Sequence, residues 1–588
     1  MRSFFKYVLA TITGIGIVVV LLIIGLIAII TSTVSQMSSG KQTPVLANSV
    51  LYISLDHDIT ERTEENPFEG VSVPGLGEVK SLGLNDILAR IETAKTDDRI
   101  KGIFLNPRSV SAGFASTKEI YDALVDFKTS GKFIVAYSDV FTQKAYLLAS
   151  TADKIYINPE GSLDFKGLSS TVTFMKEALD KLGVEMQVVK VGTYKSAVEP
   201  FLLNEMSEAN REQMTSYLNS TYDAFLENVS HGRNIKVDSL RYIADNYLIR
   251  NADDAIKYNF ADGKLYTDQV ISELKQRIGV EEKKDLSTIS ILDYSDGKDP
   301  NITGDRIAVL YAYGEIVDGE GEEINIGGDR ISRELRKLRR DDRVKAVVLR
   351  VNSPGGSALA SDIIAREVEL TKASKPVIVS MGDYAASGGY YISALADSIF
   401  AEKETLTGSI GVFGLIPSFK GLLNNKLGIH LDEVKTGKYA DLLASPDRLM
   451  TEDERSIIQV EVNRVYNTFL NKVATGRGMD VSQVDSIGQG RVWTGSQAIE
   501  MGLVDGIGDV SRAIEAAASK AKLKDYKVAY YPKVKDPFAS LFGTSKEKIK
   551  MWMLSDELGD FREYVEQLRT VTKSSGIQAR MPYTVEIR

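Results

Sequence analysis

Hydrophobic and polar positions divide the chain into one long apolar run, two stretches of short alternating elements, and a charged tail. Tyr7 to Ile30 carries no charge and is mostly Ile, Val and Leu. Its 24 residues suffice to cross a bilayer core of roughly 30 Å as a helix. The run is too long for the core of a secretory signal, and Thr31 to Ser35 offers no convincing cleavage pattern, so an uncleaved anchor is expected. Arg2 and Lys6 precede it, which orients the N-terminus inside and exports the body. Beyond a polar linker ending at Asn48, apolar β-branched runs alternate with amphipathic stretches. The pattern predicts strand 345–351, helix 358–373, strand 376–380, a helix from about 388 and strand 398–401. That order is the signature of βαβ units and a largely parallel sheet with helices packed on it.

The two stretches repeat each other at an offset near 244 residues. Thr96–Leu105 matches Arg340–Leu349, Phe133–Ala136 matches Val377–Ser380, Ala152–Ile155 matches Ala396–Ile399, and Tyr222–Gly232 matches Tyr466–Gly476. A duplication is therefore expected. It gives a cytoplasmic N-terminus over 1–6, an anchor over 7–30, a linker over 31–48, a first repeat over 49–290, a second over 305–535 and a tail over 536–588. Asp285 to Gly304, rich in Ser, Asp, Gly and Asn, separates the repeats. In the tail, Lys546 to Thr572 reads as one or two charged amphipathic helices, and Gln578 to Arg588 as an added edge strand.

Composition narrows the chemistry. A chain of 588 residues exceeds one core and suggests two to four domains. The net charge of −9 and the lack of a basic stripe argue against nucleic acid as a partner. There is no cysteine, which excludes disulfides, thiolate metal sites and a cysteine nucleophile. His57, His231 and His430 are the only histidines, and their spacing suggests no metal site; no cofactor is expected.

The candidate chemistry lies where the repeats differ. Ser387 follows an apolar strand and precedes Gly388-Gly389 at a strand-to-helix turn. There it is either a helix N-cap or an exposed nucleophile with unshielded N–H groups behind it. The first repeat has Gln143-Lys144-Ala145 at that place, and Ser109-Val110-Ser111-Ala112 at the place of Ser353-Pro354-Gly355-Gly356. Conversely Lys195, in Gly192-Thr193-Tyr194-Lys195-Ser196, faces Ala440 of the second repeat. One copy keeps a lysine and the other a serine, which suggests a single composite site. A serine hydroxyl needs a base. A histidine would have to arrive by folding, whereas a lysine serves if burial keeps it neutral. Ser409, in a glycine turn where the first repeat has Phe165, is either an alternative nucleophile or a hydroxyl holding the amine.

Four motifs then carry a resemblance: Asn352-Ser353-Pro354-Gly355-Gly356, Ala386-Ser387-Gly388-Gly389-Tyr390-Tyr391, Leu406-Thr407-Gly408-Ser409-Ile410-Gly411, and Gly192 to Phe201. From the anchor to about residue 535 the chain resembles the long, duplicated form of the signal peptide peptidase A (protease IV) family. The resemblance implies an α/β architecture with a Clp-protease/crotonase-like fold in each half. It also implies a serine protease anchored in the bacterial cytoplasmic membrane, with its body on the extracytoplasmic side. Ser387 would be the nucleophile, Lys195 the general base and Ser409 the hydroxyl orienting the lysine. Gly356 and Gly388 would supply the oxyanion N–H groups, with Gly355 as the substitute. The implied partners are cleaved signal peptides and other apolar peptides, membrane lipid through the anchor, and copies of itself in a homotetramer. Two rival readings are an acyl-CoA enzyme of the crotonase type, which shares the fold but needs no serine, and a non-catalytic membrane scaffold.

Overall fold

A computed structural model describes Gly14 and residues 44–63, 82–294, 304–443, 447–533 and 576–581. The expected anchor over 7–30, all of it but Gly14, and the helices expected over 546–572 lie outside the described residues. Among the described residues, no helix is long and apolar enough to cross a membrane.

Each repeat builds its own sheet. In the first, six strands run parallel in the order Gly263–Lys264, Lys154–Leu163, Phe133–Phe141, Ile100–Leu105, Ser49–Ile53, Thr288–Ser290. The second repeats this arrangement around Ser398–Ala401, Val377–Ala386, Val344–Ser353, Arg306–Tyr313 and Lys527–Tyr531. The spacing read from the sequence holds in space: helix Glu208–Arg233 has its counterpart in Glu452–Arg477, 244 residues on. The central strands are buried on both faces, which is why they read as near-continuous Val, Ile and Leu.

A third sheet joins the halves. Glu185–Val191 of the first repeat pairs antiparallel with Val412–Ser418 of the second over seven rungs, from Val191↔Val412 to Glu185↔Ser418. On its far side lie Gly355–Ser357, Ile316–Val317 and Ile326–Gly327.

Three elements differ from the expectation. The strand expected to stop at Ser380 continues to Ala386, because Tyr384, Ala385 and Ala386 find partners in Leu406, Thr407 and Gly408. Helix Gly388–Ser393 is a single short turn and half. The tail strand Gly576–Arg580 is not at an edge: it lies inside the third sheet, between Gly355–Ser357 and Val412–Ser418.

The halves are also clamped by charge. Arg350 is fully buried, donates to Glu61 at 2.9 and 3.1 Å and to Glu119 at 2.6 Å, and reaches Ser380 Oγ at 2.9 Å. Asn352 donates to Glu61 at 2.8 Å and accepts from Tyr384 N at 3.0 Å, so the clamp holds the strand ends that lead into the site. Nearby, Asp383 accepts from Ser116 N and Oγ at 3.0 and 2.5 Å.

Candidate active site

Ser387 stands where strand Val377–Ala386 meets helix Gly388–Ser393, with φ 55° and ψ −112°. A positive φ is strained for a serine and turns its side chain out of the strand's run. Two backbone bonds fix the turn: Ser387 N donates to Gly408 O and Tyr391 N to Ser387 O, both at 2.8 Å. The Ser387 hydroxyl caps no helix N–H, which removes the N-cap reading.

That hydroxyl instead meets Lys195. Lys195 Nζ lies 2.9 Å from Ser387 Oγ, 3.0 Å from Ser409 Oγ and 3.2 Å from Ser409 O. All three side chains are fully buried. Burial alone holds the lysine well below its ordinary value, and no acidic group opposes the effect among the described residues. Burial thus favours the neutral amine, the form that can accept a proton. His57, the half-buried histidine, spends its ring on Leu82 O at 3.3 Å.

The inter-half ladder explains how a first-half lysine gets here. Lys195 lies four residues beyond Val191, and Ser409 three residues before Val412, the partner of Val191. The lysine loop then docks on residues 489–491: Tyr194 N donates to Gln489 O at 2.9 Å. Gly490, at φ +79°, lies so close that a Cβ on it would fall 2.6 Å from Lys195 N. Gln213 braces the loop from behind, donating to Tyr194 O at 3.1 Å and to Ser196 Oγ at 2.8 Å.

Opposite, Gly355 and Gly356 form a strand rather than a free turn. Gly355, at φ +98°, comes so near Gly388 that a Cβ on it would stand 2.7 Å from Gly388 N. Gly355 N donates to Ser353 Oγ at 3.1 Å, and Gly356 pairs with Ala579 of the tail strand.

The first repeat has closed its own version of this place. Gln143, standing where Ser387 does, donates to Gly167 O at 2.8 Å and accepts from Lys166 N and Gly167 N. Phe165, at the place of Ser409, packs against Phe260, Phe225 and Tyr146 at ring distances of 4.7, 5.8 and 6.3 Å.

Sequence reading missed Glu61, Gln213 and Gly490. A signal existed for the clamp: Arg350 is a lone charge inside the apolar run Ala346 to Val351. For Gln213 and Gly490 there was none, since no local pattern marks either as a contact of the lysine loop.

A peptidase is the class of protein that a buried serine–lysine contact and paired glycine strands bring to mind, and comparison with known sequences agrees. The profile described as Peptidase family S49 matches twice, over residues 126–281 and 369–524. The chain belongs to this family and is a serine protease. It is 38% identical over 525 residues to Protease 4 of Haemophilus influenzae, covering 84% of this chain and 83% of that one. To the chloroplastic serine protease SPPA of Arabidopsis thaliana it is 34% identical over 549 residues, covering 91% and 78%. A shorter match, 42% over 208 residues, joins it to the putative signal peptide peptidase SppA of Enterococcus faecium, covering 35% of this chain and 60% of that protein.

Proposed function

We propose that the chain is a Ser–Lys endopeptidase of two Clp-protease/crotonase-like halves that degrades cleaved signal peptides. Ser387 is the nucleophile, and neutral Lys195 takes its proton and returns it to the leaving amine. Ser409 orients the lysine, and Gly356 and Gly388 N–H groups stabilise the oxyanion, each donor worth about 10²–10³ in rate. Water then clears the acyl-enzyme by the same route in reverse. One observation carries the reading: a fully buried lysine with no acidic partner among the described residues, its amine 2.9 Å from the serine hydroxyl. The Enterococcus relative's name supports signal peptides as substrates, and the apolar run over 7–30 supports an anchor in the cytoplasmic membrane with the body outside it. A homotetramer belongs to the same proposal and rests on the family resemblance alone.

The test is covalent. A fluorophosphonate should modify Ser387, located by mass spectrometry of the labelled peptide. Ser387→Ala and Lys195→Ala should each lose casein hydrolysis while keeping the wild-type circular dichroism spectrum. Near-normal hydrolysis by either variant would remove the assignment, and acyl-CoA turnover without labelling would favour the crotonase-type rival.

A further inference from the structure

Helix Glu208–Arg233 belongs to the first repeat, yet it lies against strand Val492–Thr494 of the second. Ser220 Oγ shares a hydrogen bond with Thr494 Oγ1 at 2.7 Å, and Gln497 Nε2 donates to Ser216 Oγ at 2.9 Å. Met214 and Tyr217 pack with Val492 and Leu406. The strand they rest on supports the site: Val492 pairs with Gly408, and Arg491 O accepts from Ser409 N at 2.7 Å.

Towards the start of the helix, the amide of Gln213 reaches both repeats. Its oxygen accepts from Val492 N at 3.3 Å. Its nitrogen donates to Tyr194 O at 3.1 Å and to Ser196 Oγ at 2.8 Å, the residues on either side of Lys195. A backbone N–H at one end and a carbonyl at the other fix which way the amide points. Glutamate could not donate to Tyr194 O, and methionine could make neither bond. Gln213 is buried and held from behind by groups that are buried too. Its nitrogen also reaches Asn210 Oδ1 at 3.2 Å, and Asn210 Nδ2 donates to Glu199 at 3.0 Å. Glu199 accepts in addition from Ser207 N and Oγ, at 3.1 and 2.6 Å.

Glu212 makes the same connection from the outside. It accepts from Tyr194 OH and pairs with Arg491 Nη1, each at 3.0 Å. The Arg491 guanidinium in turn lies 4.8 Å from the ring centre of Tyr194 and 4.5 Å from that of Trp493. In the counterpart helix, 244 residues on, the two places hold Ser456 and an exposed Ile457. The device is confined to the copy that supplies the amine.

We infer that Gln213 is a positioning residue for the general base: one amide locks the lysine loop of the first repeat to the strand that holds the Ser409 turn of the second, with Glu212 as its outer arm. This rests on the reading of Ser387 and Lys195 given above. Without the amide the loop keeps its bond to Gln489 but loses the grip on both flanks of Lys195. The amine then drifts from the serine hydroxyl and meets water.

Variants of the full-length chain test this with a fluorogenic peptide amide. Gln213→Met keeps the length of the side chain and removes its bonds; Gln213→Glu keeps the shape and sets a carboxylate oxygen against Tyr194 O. Each should lower kcat per labelled Ser387 about a hundredfold with KM within a factor of two, the effect of a misplaced reacting group. In Gln213→Met the acid limb of kcat/KM should also move up by about one pH unit, because a wetter amine holds its proton more tightly. Glu212→Gln, at an exposed ion pair, should stay within about threefold of wild type. A merely structural role would lower Tm and leave kcat per labelled serine and the acid limb where they are; that result in both glutamine variants would overturn the inference. If neither folds, Ser196→Ala decides: it removes one bond to the amide and should cost about tenfold in kcat, and a wild-type value would overturn the inference. Hydrolysis by a chain carrying Ser387→Ala would sink the peptidase reading instead.

Discussion

Val191 and Val412 face each other on the first rung of the ladder that joins the two repeats, and the lysine and serine hydroxyls converge just beyond that rung. The composite site is therefore a property of a sheet neither repeat could form alone. Its geometry depends on backbone pairing well away from the reacting groups.

Val189 pairs with Gly414 in the middle of this ladder. Val189→Pro removes a ladder N–H and fixes φ at about −65°, which breaks the pairing in the middle of the strand. Peptidase activity and Ser387 labelling should fall at least a hundredfold. The far-UV circular dichroism of the two main sheets should persist.

Keeping Lys195 neutral has a measurable cost. Its pKa is depressed by burial, so the native state holds fewer protons than the unfolded chain. The stability linked to this group is complete only above the ordinary value of 10.5 and is lost as pH falls toward the lowered one. Lys195→Met should therefore raise Tm at pH 7, by the equivalent of about 0.5–2 kcal/mol, while abolishing activity. Near pH 11 the gain should vanish. In the wild type, the acid limb of kcat/KM should lie well below 10.5, because the proposed general base must be a free amine.

Arg350 offers the opposite case, a buried charge that is fully paired. Burial pushes the Glu119 carboxyl well up, and the Arg350 guanidinium beside it opposes this. Arg350→Met leaves Glu61 and Glu119 buried without their cation and should cost about 3–5 kcal/mol at pH 8. Acid should shrink the loss by protonating Glu119. Adding Glu61→Gln and Glu119→Gln to the same chain should restore most of the stability. Urea unfolding of the three chains checks this.

A second acidic cluster spans the halves. Burial raises Glu402 to about 8 and Glu404 to about 7, near Lys118 and Asp122 of the first repeat. A raised carboxyl stabilises fully below its ordinary value of 4.5, and that contribution is lost as pH rises through about 8. Glu402→Gln should flatten the decline of Tm between about pH 5 and pH 8. An unchanged slope would show that Glu402 does not titrate in this range.

Much of this was readable in the chain. Strand and helix order followed from hydrophobic period, and the pairing of Lys195 with Ser387 followed from what each repeat keeps and the other lacks. What stayed hidden depends on distant partners. Strand Val377–Ala386 outruns its apolar stretch because Leu406–Gly408 extends it, and no local pattern signals that. The tail segment Gly576–Arg580 has the look of a strand but nothing in it says which sheet it enters. Gly490 is one glycine among 47 until Lys195 is laid against it.

The aromatic plug around Phe165, with Gln143 latched beside it, has a stoichiometric consequence. Although the chain carries the same architecture twice, only one copy can be titrated: an irreversible acylating probe should saturate at one equivalent per polypeptide. On the proposed assignment, twofold ancestry ends in a single turnover centre, with the other copy as the platform that delivers the amine.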